Sequence, residues 1–341
     1  MPLLRQGQLT GLVYLENDVS AAAFTRQHLT VLEMLCAQAA VSLQNARLYE
    51  HQRAMADSFA RFVPKQFLQH LGKRSLLDVR LGEAVQSDIT VLFSDLRNFT
   101  RLSESMSAED NFALMNGYLA RMEPVIQQHD GFIDKYIGDA VMALFSGSAD
   151  RAVEAAIAMH RALDAYNEHR SAKGRAPLTM GIGIHTGPLM LGTVGSPDRM
   201  ETTVIGDTVN VASLIENLTR RFGAALLITG ETHARLSDTA RASCRIVGRF
   251  RMKGKTATTA VYEVVDADGP PARLAKRRTL AAFERGCASY YAARFPEALA
   301  SFRECDDSED RVVQAYRVRC ERYLGTHVPT DWDGVEDLES K

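Results

Sequence analysis

Two aspartates stand where apolar strands should end. In VLFSDLRNFT the run Val91, Leu92, Phe93 leads through Ser94 into Asp95. In GFIDKYIGDAVMALF two alternating apolar segments flank Gly138 and Asp139. A Gly-Asp pair there predicts a tight hairpin turn, with glycine taking the unusual backbone angles and aspartate bonding its own backbone. Taken singly, each is an ordinary turn or cap aspartate. On neighbouring strands the two carboxylates can converge on one point. Carboxylates without an obvious counter-charge ask for a cation, and Mg²⁺ is typically held by one or two carboxylates together with substrate phosphates.

The elements needed to position them are legible in residues 88–265. The pattern predicts strand 88–94, helix 107–128, hairpin 131–145, helix 148–169, strands 178–185 and 189–195, helix 207–222 and strand 225–229. A short helix at 230–236 and strands near 244–250 and 259–265 complete it. Strands and helices mix without strict alternation, which predicts an α+β fold with one sheet and helices packed on it.

The flanks read differently. Residues 1–50 hold a strand, QLTGLVYLEN, and a long helix with apolar residues at Leu29, Leu32, Leu35, Ala39, Leu43 and Leu48. One strand and one helix bury no core alone, so this segment is expected to be the end of a longer domain or an appendage on a partner. Residues 51–86 form a helical connector interrupted by Pro64. The Gly- and Pro-rich stretch at 267–275 reads as a linker. Residues 276–326 read as a helix hairpin, either one repeat of an array or a cap on the central domain. Residues 327–341 are acidic and expected to be loose.

Bulk properties exclude several classes. The 341 residues carry a net charge of −2, so no global basic field points to nucleic acid. No apolar run reaches the ~18–20 residues of a membrane helix. Five scattered cysteines lack metal spacing and read as reduced thiols of a cytoplasmic protein.

Five segments occur in order: FSDLRNFT, DKYIGDAVMALF, TMGIGIHTGPLMLGTVGS, TTVIGDTVNVAS and RMKGKTATTAVYEV. Together they resemble a class III nucleotidyl cyclase catalytic domain over about residues 85–265, assigned here to 87–266. GLVYLEN with its following helix resembles the closing strand and helix of a GAF sensor domain, whose ligand pocket would lie upstream. Gly286, Ala298 and Phe302 fall at spacings similar to one tetratricopeptide repeat.

The cyclase resemblance implies a ferredoxin-like sheet with packed helices, flanked by helical segments. It implies a head-to-tail homodimer that turns ATP into cyclic AMP and pyrophosphate at the subunit interface, as the output of a signalling protein. Asp95 and Asp139 would hold two Mg²⁺ or Mn²⁺ ions per active site, with the Leu96 carbonyl as a further metal ligand. Amides of Arg97, Asn98, Phe99 and Thr100 would open a helical turn onto phosphates. The partner subunit would supply Lys135 and Thr203 for the adenine, and Asn210 would help orient the ribose. Lys253 matches the family's phosphate lysine, with Lys255 as the alternative. The Lys–Thr pairing resembles a bicarbonate-responsive subgroup, whereas guanylyl-type members carry Glu in place of the lysine. The tail is expected to meet a protein partner.

One position departs from the family pattern. Four residues after Asn210 the family usually has an arginine that stabilises transition-state charge; here it is Leu214. On a helix, Asn210, Leu214, Asn217 and Arg221 share a row beside the apolar stripe Ala212, Ile215, Leu218 and Phe222. Arg221 lies roughly 10 Å further along the axis, beyond the ~6–7 Å direct reach of an arginine. Arg220 is expected to point elsewhere. The alternative function is therefore a degenerate, slow cyclase domain that binds ATP and regulates, with a guanylyl cyclase as a third possibility.

Overall fold

A computed structural model describes residues 1–5, 8–18, 24–59, 63–252, 257–305, 309–325 and 332–338. The chain divides into two units, Met1–Lys65 and Gln66–Lys341. In the first, strands β1 (Pro2–Arg5) and β2 (Gln8–Leu12) pair antiparallel, and helix α1 runs over Arg26–Phe59. Its buried cluster is Leu3, Cys36 and Ala40. The covered stripe of α1 thus runs through Cys36 and Ala40, while Leu29, Leu35, Leu43 and Leu48 are exposed. The expected apolar face is real as a pattern, but this two-stranded sheet is too small to cover it.

The second unit is built around a long strand paired on both edges. After α2 (Lys65–His70), β3 (Ala84–Leu96) is buried without interruption from Ile89 to Ser94. Alternate side chains enter different cores: Leu92 and Leu96 one, Ile89, Val91 and Phe93 the other. That is the signature of a strand with both faces covered. There follow α3 (Phe99–Glu104), α4 (Ala108–Gln128), β4 (Gly131–Ile137), β5 (Ala140–Phe145) and α5 (Ala149–Ser171). Next come β6 (Met180–Ser196), β7 (Arg199–Ile205), α6 (Asp207–Phe222), β8 (Leu226–Thr229), α7 (Gly230–His233) and α8 (Asp238–Arg241). The chain ends with β9 (Cys244–Met252), β10 (Thr258–Val264), α9 (Pro270–Tyr291), α10 (Phe295–Glu304), α11 (Arg311–Leu324) and β11 (Val335–Leu338). The sheet order is β11-β9-β10-β8-β6-β3-β5-β4, with β7 on the far half of β6. The α+β class expected from the pattern is the observed one.

Two expected strands, 178–185 and 189–195, are one strand, β6. Pro188 does not break it. On the side of β6 away from β3, β8 pairs with residues 182–184 and β7 with 190–196, which leaves Pro188 opposite no strand on that side. Gly183 shows why the glycine-containing segment is needed. A Cβ there would lie 2.1 Å from the Glu216 amide nitrogen, so only glycine lets α6 rest against β6.

The C-terminal helices belong to the same body as the sheet. Phe283, Tyr290, Phe302 and Tyr316 share a core with Phe222, Val247, Phe250 and Val261. The stretch 267–275 is not an open linker, because α9 starts within it at Pro270, with proline at the first helical turn. α9 and α10 form a hairpin in which Gly286 admits the Phe302 ring. A repeat array would continue by stacking further helix pairs. This hairpin instead caps the sheet, followed by α11, and part of the acidic terminal segment forms β11 parallel to β9. Backbone pairing overrides the charge-based expectation of a loose end there.

A buried ionic network staples these helices down. Arg245 on β9 donates to Glu263 on β10 at 2.6 Å and to both oxygens of Asp310 at 2.6 and 2.9 Å. Lys276 on α9 donates to Glu263 at 2.6 Å and Asp268 at 2.8 Å. Asp310 also caps α11 through the Val312 and Val313 amides. Arg245→Met would leave buried Asp310 without a cation and Glu263 with Lys276 alone, and is expected to cost about 3–5 kcal/mol in denaturant unfolding. A cost below about 1 kcal/mol would mean the network is bystander chemistry.

Candidate active site

Asp95 and Asp139 are brought together by register. β3 pairs with β5 up to Ser94–Val141, so the β4–β5 turn abuts the end of β3. Gly138 takes φ 64 at that turn, in the left-handed region glycine tolerates. The Leu96 amide donates to Asp139 Oδ2 at 3.2 Å. Asp139 is pushed up to about 6, first by burial and then by the adjacent Asp95 carboxylate. Two like charges crowded together in this way suit a bound cation. Among the described residues no cluster of three or more metal-type ligands forms. A pair is nevertheless what an ion shared with substrate phosphates requires.

The cation beside Asp95 in this structure is Arg220, which pairs with Asp95 Oδ2. This corrects the expectation that Arg220 points away. α6 packs along β6 and ends beside the carboxyl end of β3, and the long arginine side chain spans the remaining gap. Arg97 secures the same corner. Its guanidinium donates to the Thr219 carbonyl at 3.2 Å and the Ala224 carbonyl at 2.6 Å, satisfying the end of α6. Its backbone amide donates to the Thr179 carbonyl at 2.8 Å. Arg97 is therefore committed to the scaffold. Of the four expected cradle amides, those of Asn98, Phe99 and Thr100 remain at the first turn of α3, where helix geometry leaves donors unpaired.

Sequence reasoning missed Glu216. It is only 5% exposed, and its Oε1 has no hydrogen-bond partner among the described residues. Burial pushes it up to about 7, with Asp95 adding to the effect and Arg220 opposing it. The available signal was an acid beside the buried Ile215 in the helix row that faces β6.

Lys135 and Thr203, 68 residues apart, meet at 2.7 Å between Nζ and Oγ1. Glu201 and Asp134 each lie 3.5 Å from the same ammonium. Burial pushes Asp134 up to about 6. No hydrogen bond or ion pair among the described residues links this pair to Asp95 and Asp139. Asn210 is exposed, and Leu214 is 41% exposed in the polar row of α6, as the helix wheel predicts. Lys253 and Lys255 lie outside the described residues.

Residues 83–264 match the model described as the adenylate and guanylate cyclase catalytic domain, and residues 1–43 match the GAF domain model. An adenylate cyclase of Anabaena cylindrica is 44% identical over 214 residues, covering 61% of this chain and 43% of that protein. The terminal-differentiation-specific adenylate cyclase of Dictyostelium discoideum is 36% identical over 275 residues, 78% of this chain and 13% of that protein. The chain thus spans less than half the length of these relatives. A solved bacterial light-regulated adenylyl cyclase matches with a TM-score of 0.56 at 26% identity, covering 70% of this chain and 67% of that one. No helix among the described residues is long and apolar enough to cross a membrane.

Proposed function

Since the chain belongs to the family of adenylate and guanylate cyclase catalytic domains, we propose that it converts ATP into cyclic AMP and pyrophosphate at sites shared by two head-to-tail copies. The observation that carries this reading is the contact between Lys135 and Thr203. An ammonium donates to the adenine N1 lone pair; against guanine it would meet an N–H instead. The Thr203 hydroxyl has acceptor capacity left for the exocyclic amine of adenine. Relatives named adenylate cyclase support the same choice.

At the other end, Asp95, Asp139 and the Leu96 carbonyl would hold two Mg²⁺ or Mn²⁺ ions. Bound there, the ions would make the ribose 3′-hydroxyl easier to deprotonate and stabilise the pyrophosphate leaving group. Arg220 would leave Asp95 as this happens. The amides of Asn98, Phe99 and Thr100 would orient the phosphates, Lys253 would add charge to them, and Asn210 would fix the ribose. The reaction would draw on cytoplasmic ATP, with the GAF segment on the sensing side.

The two clusters are half-sites on one chain, and a second copy would join them. Exposed apolar residues nearby suit such a contact: Tyr136, Ile137, Ile205 and Leu214 are 45%, 52%, 57% and 41% exposed. Complementation tests this. Asp95→Ala and Lys135→Ala chains should each be inactive alone, while an equal mixture recovers about a quarter of wild-type activity through mixed dimers with one intact site. A mixture as inactive as its parts would refute the shared site.

Leu214 favours a second reading: an ATP-binding regulatory domain with little turnover. Its side chain offers no hydrogen-bond donor where the family's transition-state arginine stands.

A further inference from the structure

The last turn of α6 meets α11 and β11 across a cavity of 390 Å³, within the size range of small-molecule sites. Arg221, Arg311, Arg319 and Arg322 line it against one carboxylate, Glu336. That leaves an excess of three positive charges on a short stretch of wall. Arginines in the last turn of a helix complement its dipole, which accounts for Arg221 and Arg322 without any ligand. It does not account for Arg319. Only 7% of Arg319 is exposed, its Nε pairs with Glu336, and its Nη2 has no hydrogen-bond partner among the described residues. A buried charged donor left unpaired is costly. Its guanidinium is nonetheless held in place over the Tyr316, Phe250 and Phe222 rings, at 5.2, 5.9 and 6.0 Å. Arg221 stacks over the same Phe222 ring at 5.5 Å and lies 3.9 Å from Glu336.

We propose that this groove binds a small phosphate-bearing anion carrying at least two linked phosphates. Guanidinium forks match phosphate oxygens in pairs, and rings that fix the forks in advance reduce the ordering cost of binding. The charge excess matches the roughly three to four charges of two linked phosphates near neutral pH. β11 contributes Glu336 to one side, and a volume of 390 Å³ suits a small anion better than an acidic peptide. It is separate from the carboxylates of the candidate active site. It abuts the same helix turn, because Arg311 Nη1 donates to the Arg220 carbonyl at 3.4 Å.

Calorimetric titration of the full chain with pyrophosphate or ATP, without divalent metal, tests this. One pyrophosphate should bind per chain. Affinity should fall at least about tenfold for each guanidinium removed in an Arg221→Gln/Arg322→Gln variant with unchanged circular dichroism. Glu336→Gln should bind more tightly, because a competing carboxylate is gone. Binding without divalent metal that is weakened by Arg221→Gln/Arg322→Gln places the anion in the groove, which keeps this result independent of the cyclase reading. ATP displacing pyrophosphate identifies a nucleotide as a source of the phosphates; pyrophosphate binding that ATP does not disturb identifies the inorganic anion. The proposal is overturned by no pyrophosphate binding, by equal affinity in the double variant, or by a groove that binds only an acidic peptide.

Discussion

Leu214→Arg is expected to raise kcat for cyclic AMP formation about 10²–10³-fold while KM for ATP changes little. The position is 41% exposed in the polar row of α6, so an arginine fits without disturbing the core. The row also contains Asn210, one turn earlier, which places the new guanidinium beside the ribose residue of the same half-site. A donor that meets charge developing on the phosphates acts in the transition state more than in the ground state, so the gain belongs in kcat. Arg220 does not fill this role in the structure. It lies six residues further along α6, roughly 9 Å by helix rise, and its guanidinium is engaged by Asp95. A wild-type chain that already turns over rapidly and gains nothing from the arginine would show that another group serves this function. It would also remove the reason for the regulatory reading.

Asp95→Ala is expected to lower activity by about 10³-fold or more, because one of the two carboxylates that would hold the ions is gone. The fold should be nearly unaffected. The Arg220–Asp95 pair joins a half-exposed arginine to a partly exposed carboxylate, and such pairs contribute little to stability. Removing Asp95 also relieves the like-charge crowding of Asp139. The informative pattern is therefore a lost reaction, lost Mn²⁺ binding by calorimetry and an unfolding midpoint within a few degrees of wild type. Activity retained with Mn²⁺ binding intact would move the metal site away from β3.

What could be read from the sequence depended on the range of the interaction. Asp95 and Asp139 were legible because strand ends and Gly-Asp turns are local features, and the β3–β5 register then brings them together. The exposed row Asn210, Leu214, Asn217 and Arg221 followed from helical period alone. Strand β6 reads as two strands, 178–185 and 189–195, because the sequence does not show that the strand lacks a neighbour on one side at Pro188. The Arg220–Asp95 pair was missed because it joins residues 125 apart and depends on how α6 docks on β6. Glu216 was missed for the same reason: its burial comes from the close approach that Gly183 permits. Most of the apolar pattern of α1 stays exposed because it is broader than the small sheet that packs against it. Arg97 read as a cradle residue from its neighbours, yet a carbonyl on β6's approach and two more at the end of α6 claim its donors.

Product analysis of the purified chain with Mn²⁺ and either ATP or GTP tests the central claim most directly. Cyclic AMP from ATP is expected well above an Asp95→Ala control, with GTP giving far less cyclic product. No cyclic AMP above that control, or cyclic GMP as the main product, would contradict it.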